Sequence, residues 1–309
     1  MRTSTILTST TGILTMTKAH ITSVIIAVCA SARFAAAQTS TVDWKAVESS
    51  MGRPSVTQAG DVHRFNMPRS DLKVIVDGVQ LKPAFALGSW IAFKAVDGGA
   101  IAMGDLVLLD REVAPVMSRL QESSIEQTAV HHHLLRESPR LIYMHVHAHG
   151  DAVKIAQGIK AALALTGTPA PSTASSASAR SIGIDTAAIA GILRGTGRMN
   201  GGVYQFSFPR KESVRDGGIE IPAVMGLATA INFQSTSGGR AAITGDFVMI
   251  SSEVNPVIRA LMKNGIEVTS LHNHLLNDEP RLYFMHFWAN DDAQKLARGL
   301  SEALDLTSR

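Results

Sequence analysis

Cysteine is almost missing from this chain. The single one, Cys29, lies near the start, which excludes a disulfide framework and leaves metal chemistry to imidazole and carboxylate ligands. Aromatic residues make up only 5% of the sequence, so the cores must be built from Ala, Val, Ile, Leu and Met. Acidic residues are absent from positions 1–37, where Arg2, Lys18 and Arg33 lie. Setting those three aside leaves the remaining chain formally neutral, with its Lys and Arg matching its 26 Asp and Glu. A neutral body lacks the surplus of Lys and Arg that a nucleic-acid footprint needs. No nucleophile elbow or dinucleotide fingerprint occurs. The Gly-rich "STSGGR" (Ser235 to Arg240) has neither the Lys nor the following helix of a phosphate loop and reads as a hairpin loop.

The opening segment reads as an address. "MTKAHITSVIIAVCASARFAAAQ" (Met16 to Gln38) has a basic residue, a short apolar run and the cleavage pattern Ala35-Ala36-Ala37, which are the parts of a secretory signal. The expectation is a leader over residues 1–37 and a mature chain in the periplasm or outside the cell, with no transmembrane span. An uncut segment that anchors the chain is the alternative. Cys29 follows Val28, which is bulkier than the residue that lipid attachment usually requires.

The chain repeats itself. "MGDLVLLDREVAPVMSRLQESSIEQTAVHHHLLRESPRLIYMHVHAHGD" (Met103 to Asp151) matches "TGDFVMISSEVNPVIRALMKNGIEVTSLHNHLLNDEPRLYFMHFWANDD" (Thr244 to Asp292) without a gap, at an offset of 141 residues. Upstream, "FNMPRSD" (Phe65 to Asp71) answers "FSFPRKE" (Phe206 to Glu212). The period is far too long for a solenoid. Two tandem copies, residues 43–165 and 182–309, are expected about a pseudo-two-fold axis. A Ser/Ala/Pro linker is expected over 166–181.

Each copy has a readable order. "DLKVIVDGVQL" alternates Leu72, Val74 and Val76 up to an Asp77-Gly78 turn, the pattern of a hairpin. "PAFALGSWIAFK" and the nearly continuous apolar "AIAMGDLVLL" read as strands, the second central in its sheet. Asn255 and Pro256 predict a helix start in copy two, with Val257, Ile258, Leu261 and Met262 on one face and a stop near Gly265. Copy one has Ala114 at that capping position and is expected to be less sharply bounded. Two strands follow, then a helix opened by Asp151 or Asp292. The order predicts an α+β fold in which helices cover one face of an antiparallel sheet, with a ferredoxin-like flavour.

"DLKVIVDGVQLKPAFALGSW", "MGDLVLLDREVAPVM" and "LHNHLLNDEPRLYFMHFWANDD", in a doubled arrangement, resemble the LppY/LpqO family of bacterial envelope proteins over nearly all of the chain after the leader. The resemblance implies an exported location and two copies. It implies no particular activity. Its mycobacterial namesakes are named as lipoproteins, whereas this chain has no convincing lipid-attachment site.

Histidines concentrate in the repeat: six of the eleven lie between His131 and His149. Read as a hairpin turning at Glu137 and Ser138, "VHHHLLRESPRLIYMHV" puts His131 and His133 on one face and His132 on the other, with His131 opposite His145. His147 and His149 continue on the face of His145. The same construction in copy two joins His272, His274 and His286, with Trp288 beside them as the wall of a contained pocket. Three neutral imidazoles with an open position suit zinc first, and copper, iron, manganese or nickel as well. The expected metal ligands are thus His272, His274, His286, His131, His133, His145 and His147. Packed core histidines or a pH-responsive interface are the alternatives.

Around them, Arg140 and Arg281 could clamp an anion or form loop ion pairs. Glu137, Asp278 and Glu279 could serve as general bases, orient ligands, or simply occupy a solvated turn. Asp105 and Asp246 could orient a histidine or form a turn. Together these point to a metal-dependent enzyme, most plausibly a hydrolase acting on a small molecule or envelope ligand. A non-catalytic metal- or ligand-binding protein is the rival, and an interaction domain with structural histidines the third reading.

Overall fold

The computed structural model describes residues 42–171 and 182–309. The expected leader and most of the expected linker lie outside the described residues.

Copy one runs α1 (Trp44–Met51), β1 (Val56–Gln58), β2 (Val62–Pro68), β3 (Ile75–Val76), β4 (Val79–Gln80), α2 (Pro83–Ala86), β5 (Gly88–Val96), β6 (Gly99–Leu109), α3 (Asp110–Glu122), β7 (Glu126–His131), β8 (Glu137–Ser138), β9 (Leu141–Gly150) and α4 (Ala152–Leu163). Copy two runs α5 (Thr186–Leu193), β10 (Arg198–Asn200), β11 (Val203–Pro209), β12 (Arg215–Asp216), β13 (Ile219–Glu220), a 3₁₀ turn (Ala223–Met225), β14 (Ala228–Ser235), β15 (Arg240–Ile250), α6 (Ser251–Lys263), β16 (Glu267–His272), β17 (Asp278–Glu279), β18 (Leu282–Asp292) and α7 (Ala293–Leu304). The main sheets are antiparallel throughout, ordered β1-β2-β5-β6-β9-β7 and β10-β11-β14-β15-β18-β16. The fold is α+β in two tandem copies, as the repeat predicts.

Every residue of β6 from Ala100 to Leu109 is buried, which explains its uninterrupted apolar run. Side chains alternate between the two faces of a strand. Leu106 and Leu108 pack with Phe65, Phe93, Val116 and Ile159 under the helices of copy one. Val107, Leu109 and Tyr143 face the other way and join Val203, Ala242 and Trp288 of copy two. A matching cluster sets Val248, Leu282 and Phe284 of copy two against Val62, Ala92 and Met103 of copy one. Each sheet thus has its own helices on one side and the other copy on the opposite side, and chemistry carried on that second face is buried between the copies.

The Asp77-Gly78 hairpin forms as expected, with φ of 46° and 80° at its two turn residues. "PAFA" is a short helix rather than strand, opened by Pro83. The helix expected to start at Pro256 begins instead at Ser251, and its counterpart at Asp110. The reason is a carboxylate at the third helical position: Glu253 accepts from the Ile250 amide at 2.9 Å, and Glu112 from the Leu109 amide at 2.9 Å. Pro115 and Pro256 sit inside these helices, and both copies are equally well bounded. Met262, expected on the apolar face, is 65% exposed.

Gly104 and Gly245 precede the two aspartates of the central strands because the neighbouring strand comes very close. A Cβ on Gly245 would lie 1.9 Å from the Ala230 carbonyl oxygen, and one on Gly104 would lie 2.4 Å from that of Trp90.

Candidate metal centre between the copies

The histidine segment departs from the simple hairpin in one respect. Glu137 and Ser138 are not a turn. They form β8, which adds to the Asp77-Gly78 hairpin as a third strand, with Ile75 opposite Ser138 and Val76 opposite Glu137. Residues 132–140 are therefore a long connection, closed at a cis Ser138–Pro139 peptide, with a cis Glu279–Pro280 peptide in copy two. His131 consequently pairs with Tyr143, not His145, and His145 pairs with Ala129 past an irregularity in the ladder. The slip is by two residues, so the shared face of His131 and His145 survives. Copy two does the same, with His272 opposite Phe284 and His286 opposite Ser270.

The two copies do not build separate sites. The faces carrying the histidines meet, and six rings form one cluster: His131 stacks on His272 at 3.7 Å between centroids, His133 on His286 at 3.7 Å, and His145 on His274 at 3.8 Å. Tyr143 and Phe284 close the ends by stacking on His133 and His274. Among the described residues, three trios have ligand atoms within 4.8 Å of one another: His131–His133–His145, His131–His272–His286 and His145–His272–His274. Two of the three draw on both copies. The trio expected within copy two, His272, His274 and His286, is replaced by sets that borrow from copy one.

Backbone contacts hold the loops in this arrangement. The Thr128 hydroxyl donates to the His274 carbonyl at 2.6 Å, and that of Thr269 to the His133 carbonyl at 2.5 Å. These threonines recur at the repeat offset, a signal present in the sequence but without meaning until the copies are docked.

The ring nitrogens are sorted. His131 Nδ1 faces the His132 carbonyl at 3.1 Å, His274 Nδ1 the Gly226 carbonyl at 3.2 Å, and His286 Nδ1 the Gly245 carbonyl at 2.8 Å. His145 bonds the Gly104 carbonyl, and its Nε2 is left without a partner. In His131, His145 and His286, donation of Nδ1–H to a carbonyl fixes the tautomer and leaves the Nε2 lone pair for a ligand, whereas His274 Nε2 is engaged with Asp246 and His272. Buried Nε2 atoms of His131, His133, His145 and His286 have no hydrogen-bond partner, nor does His272 Nδ1. Buried polar atoms without partners are costly. Here they belong to rings whose ligand atoms converge in trios.

Two carboxylates complete the cluster. Asp105 lies opposite His145 and Asp246 opposite His286 on adjacent strands. Asp105 Oδ2 is 3.6 Å from His133 Nε2, and Asp246 Oδ2 is 3.2 Å from His274 Nε2. One oxygen of each is buried without a partner. Burial, then the charge of Asp246, pushes Asp105 up to about 8. Burial acts to raise Asp246 too, but His286 and the hydrogen bond from His274 hold it below the usual carboxylate range. Burial, then neighbouring imidazoles, pushes His131 down to about 3 and His133, His145 and His272 downward as well; burial also lowers His286. Neutral rings are the form that binds a metal.

The remaining expected ligands and acids lie elsewhere. His147 stands one strand repeat beyond His145 and contacts Glu126 and Asp216 at 3.5 and 3.4 Å, outside the six-ring cluster. Trp288 does not wall a pocket beside the histidines. Its Nε1 donates to Asp77 Oδ2 at 2.9 Å and its ring packs edge-on to Phe85, anchoring the hairpin of copy one. His132 bonds the Leu141 carbonyl at 2.6 Å and meets Arg140 at 2.7 Å. Arg281 bonds the Leu276 carbonyl and Asp278, at 2.9 and 2.7 Å. Glu279 is exposed and pairs in the ladder with Arg215. These groups close the loops and do not reach the rings by hydrogen bonds.

Glu137 is buried and accepts from the Leu141 amide at 3.1 Å. Burial, only partly offset by that bond and by Arg140, pushes it from 4.5 up to about 8. The folded protein then holds a proton that the unfolded chain releases. Stability from this group is full below pH 4.5 and is lost as pH rises to about 8. Glu137→Gln keeps the acceptor and removes the titration, so its Tm should fall less than that of the parent between pH 5 and 8. Parallel Tm–pH curves would show that Glu137 does not titrate in this window.

A tandem α+β protein with a histidine-rich interface is thus the class that fold and site define. The chain belongs to the family described as Domain of Unknown Function (DUF1259), which matches residues 45–165 and again 187–306. No curated protein matches the sequence. Among solved structures, the chain is similar to the crystal structure of EtuB from Clostridium kluyveri, with 9% identity over 81% of this chain and 90% of that one and a TM-score of 0.19. It is also similar to a trimeric bacterial microcompartment shell protein, PduB, with 14% identity, 82% and 92% coverage and a TM-score of 0.21. At such TM-scores the likeness carries no argument. No helix among the described residues is long and apolar enough to cross a membrane.

Proposed function

We propose that this protein is an exported, LppY/LpqO-like envelope protein that binds a transition metal, zinc in the first place, at the interface of its two copies. The observation that carries the metal reading is that His131, His145 and His286 each have a buried Nε2 without a partner on a ring tied to a backbone carbonyl, within a cluster of six imidazoles. Packed structural histidines would instead bond one another, and the only ring-to-ring hydrogen bond among the described residues is His274 to His272, at 3.0 Å. Export rests on the leader pattern and the family resemblance.

A hydrolytic role is supported by Asp105 and Asp246. A bound metal ion would supply an acidified water. The chain's own part is to orient the rings and to set two buried carboxylates, Asp105 and Asp246, beside His133 and His274. Purified protein exposed to zinc, copper, manganese and iron, then dialysed, should retain at least one of these ions by elemental analysis. A protein that keeps none is no metal protein. Zinc-loaded protein should then hydrolyse activated esters or phosphoesters in a chelator-sensitive way; inactivity on both leaves binding without catalysis.

A further inference from the structure

We propose that the cluster holds two metal ions, each bound by the two histidines of one copy's His-x-His segment and a third from β9 or β18 of the other. This inference rests on the metal reading above. Six imidazoles and two carboxylates, Asp105 and Asp246, make eight donors in one buried volume. A zinc ion that keeps an open position for water takes three protein ligands. A single ion would leave three of the six rings unligated, among them buried nitrogens that have no hydrogen-bond partner.

The repeat decides how the donors divide. The 141-residue offset relates His131 to His272, His133 to His274, and His145 to His286. His131 and His272 stack on each other, so the pseudo-two-fold axis passes between them. The other stacked pairs, His133–His286 and His145–His274, are images of one another. The trio His145–His272–His274 lies to one side of the axis, with Asp246 at His274. Its image is His286–His131–His133, with Asp105 at His133. In this structure His131 converges with His133 in a set completed by His145 and with His286 in a set completed by His272, so the second site is assigned by the repeat. The repeat thus assigns each half three imidazoles, the set that leaves a zinc ion its open position, and one carboxylate beside them. The compactness of the cluster fits ions a few ångströms apart, as in two-metal sites.

The exchange of one histidine per site between copies explains a feature that a mononuclear site leaves idle: both aspartates sit at equivalent positions and each has a buried free oxygen. It also accounts for the bonds from Thr128 and Thr269, which fasten the loop of each copy to the strand of the other.

The test is stoichiometry on the full chain. Apoprotein loaded with zinc and dialysed should retain two equivalents per chain by mass spectrometry of the metal. His274→Ala and His133→Ala should each retain one, the double variant none, and His147→Ala two. With cobalt(II), the paramagnetic resonance signal per ion should weaken as the second equivalent binds, through coupling of neighbouring ions. One equivalent in the parent chain overturns the two-ion site while leaving metal binding intact. None overturns both. Loss of both ions from a single replacement in a folded variant, or two uncoupled cobalt signals, overturns the division into adjacent trios. The parent stoichiometry and coupling need no variant, so a failure to fold cannot rescue the proposal.

Discussion

Arg69→Ala should be the most damaging single substitution in copy one, lowering stability by about 3–5 kcal/mol. Arg69 is completely buried. Its guanidinium bonds the Val107 carbonyl and Glu112 at 2.7 Å each and Asp71 at 2.9 Å. Glu112 in turn caps α3 at Leu109 and accepts from the Gly167 amide at 3.0 Å. Removing the arginine leaves a buried carboxylate without its cation, the costly way to break such a pair. In thermal denaturation Tm should drop by on the order of 10 °C. Arg210→Ala should do the same in copy two, where Arg210 bonds the Val248 carbonyl and Glu253 at 2.9 and 2.6 Å. A drop of only a degree or two in both variants would show that these arginines are dispensable.

The second large effect is on metal affinity. His145→Ala should weaken zinc binding more than 100-fold at the site completed by His272 and His274, exceeding the roughly 10–100-fold typical of losing a residue that merely orients a ligand. The residue belongs to copy one and its partners to copy two, so the effect reads out the shared site directly. The apoprotein should lose little stability, because the replaced ring carries a buried nitrogen without a partner. Competition against a chelator of known zinc affinity measures the change. An affinity within tenfold of the parent would mean that His145 is not a ligand.

Much of this was legible in the residues. The repeat announced two copies, the Asp77-Gly78 pair its hairpin, and the even spacing of His131, His133 and His145 a common face. Parity made that face robust: pairing His131 with Tyr143 rather than His145 moved the register by two and left His131 and His145 on the same side. What failed was whatever depends on contacts between distant segments. Glu137 and Ser138 read as a turn because nothing local shows that Ile75 and Val76 will recruit them. Pro256 looked like a helix start, although the Glu253 carboxylate had already capped the helix a turn earlier. The joining of the two histidine faces was invisible for the same reason. Periodicity shows that a face is separate from its helices but not what covers it. Asp105 and Asp246 carried only a weak signal, a Gly-Asp step repeated in both strands, and the close strand approach at Gly104 and Gly245 gives that step its reason.

The fusion of two copies into one chain has a consequence for how the interface centre is assembled. Were the halves separate molecules, the trio His145–His272–His274 would exist only in the docked fraction, and dilution would dismantle it. Tethering turns that encounter into an intramolecular one, which dilution does not weaken. Assembly of the centre is thereby uncoupled from how much protein is present.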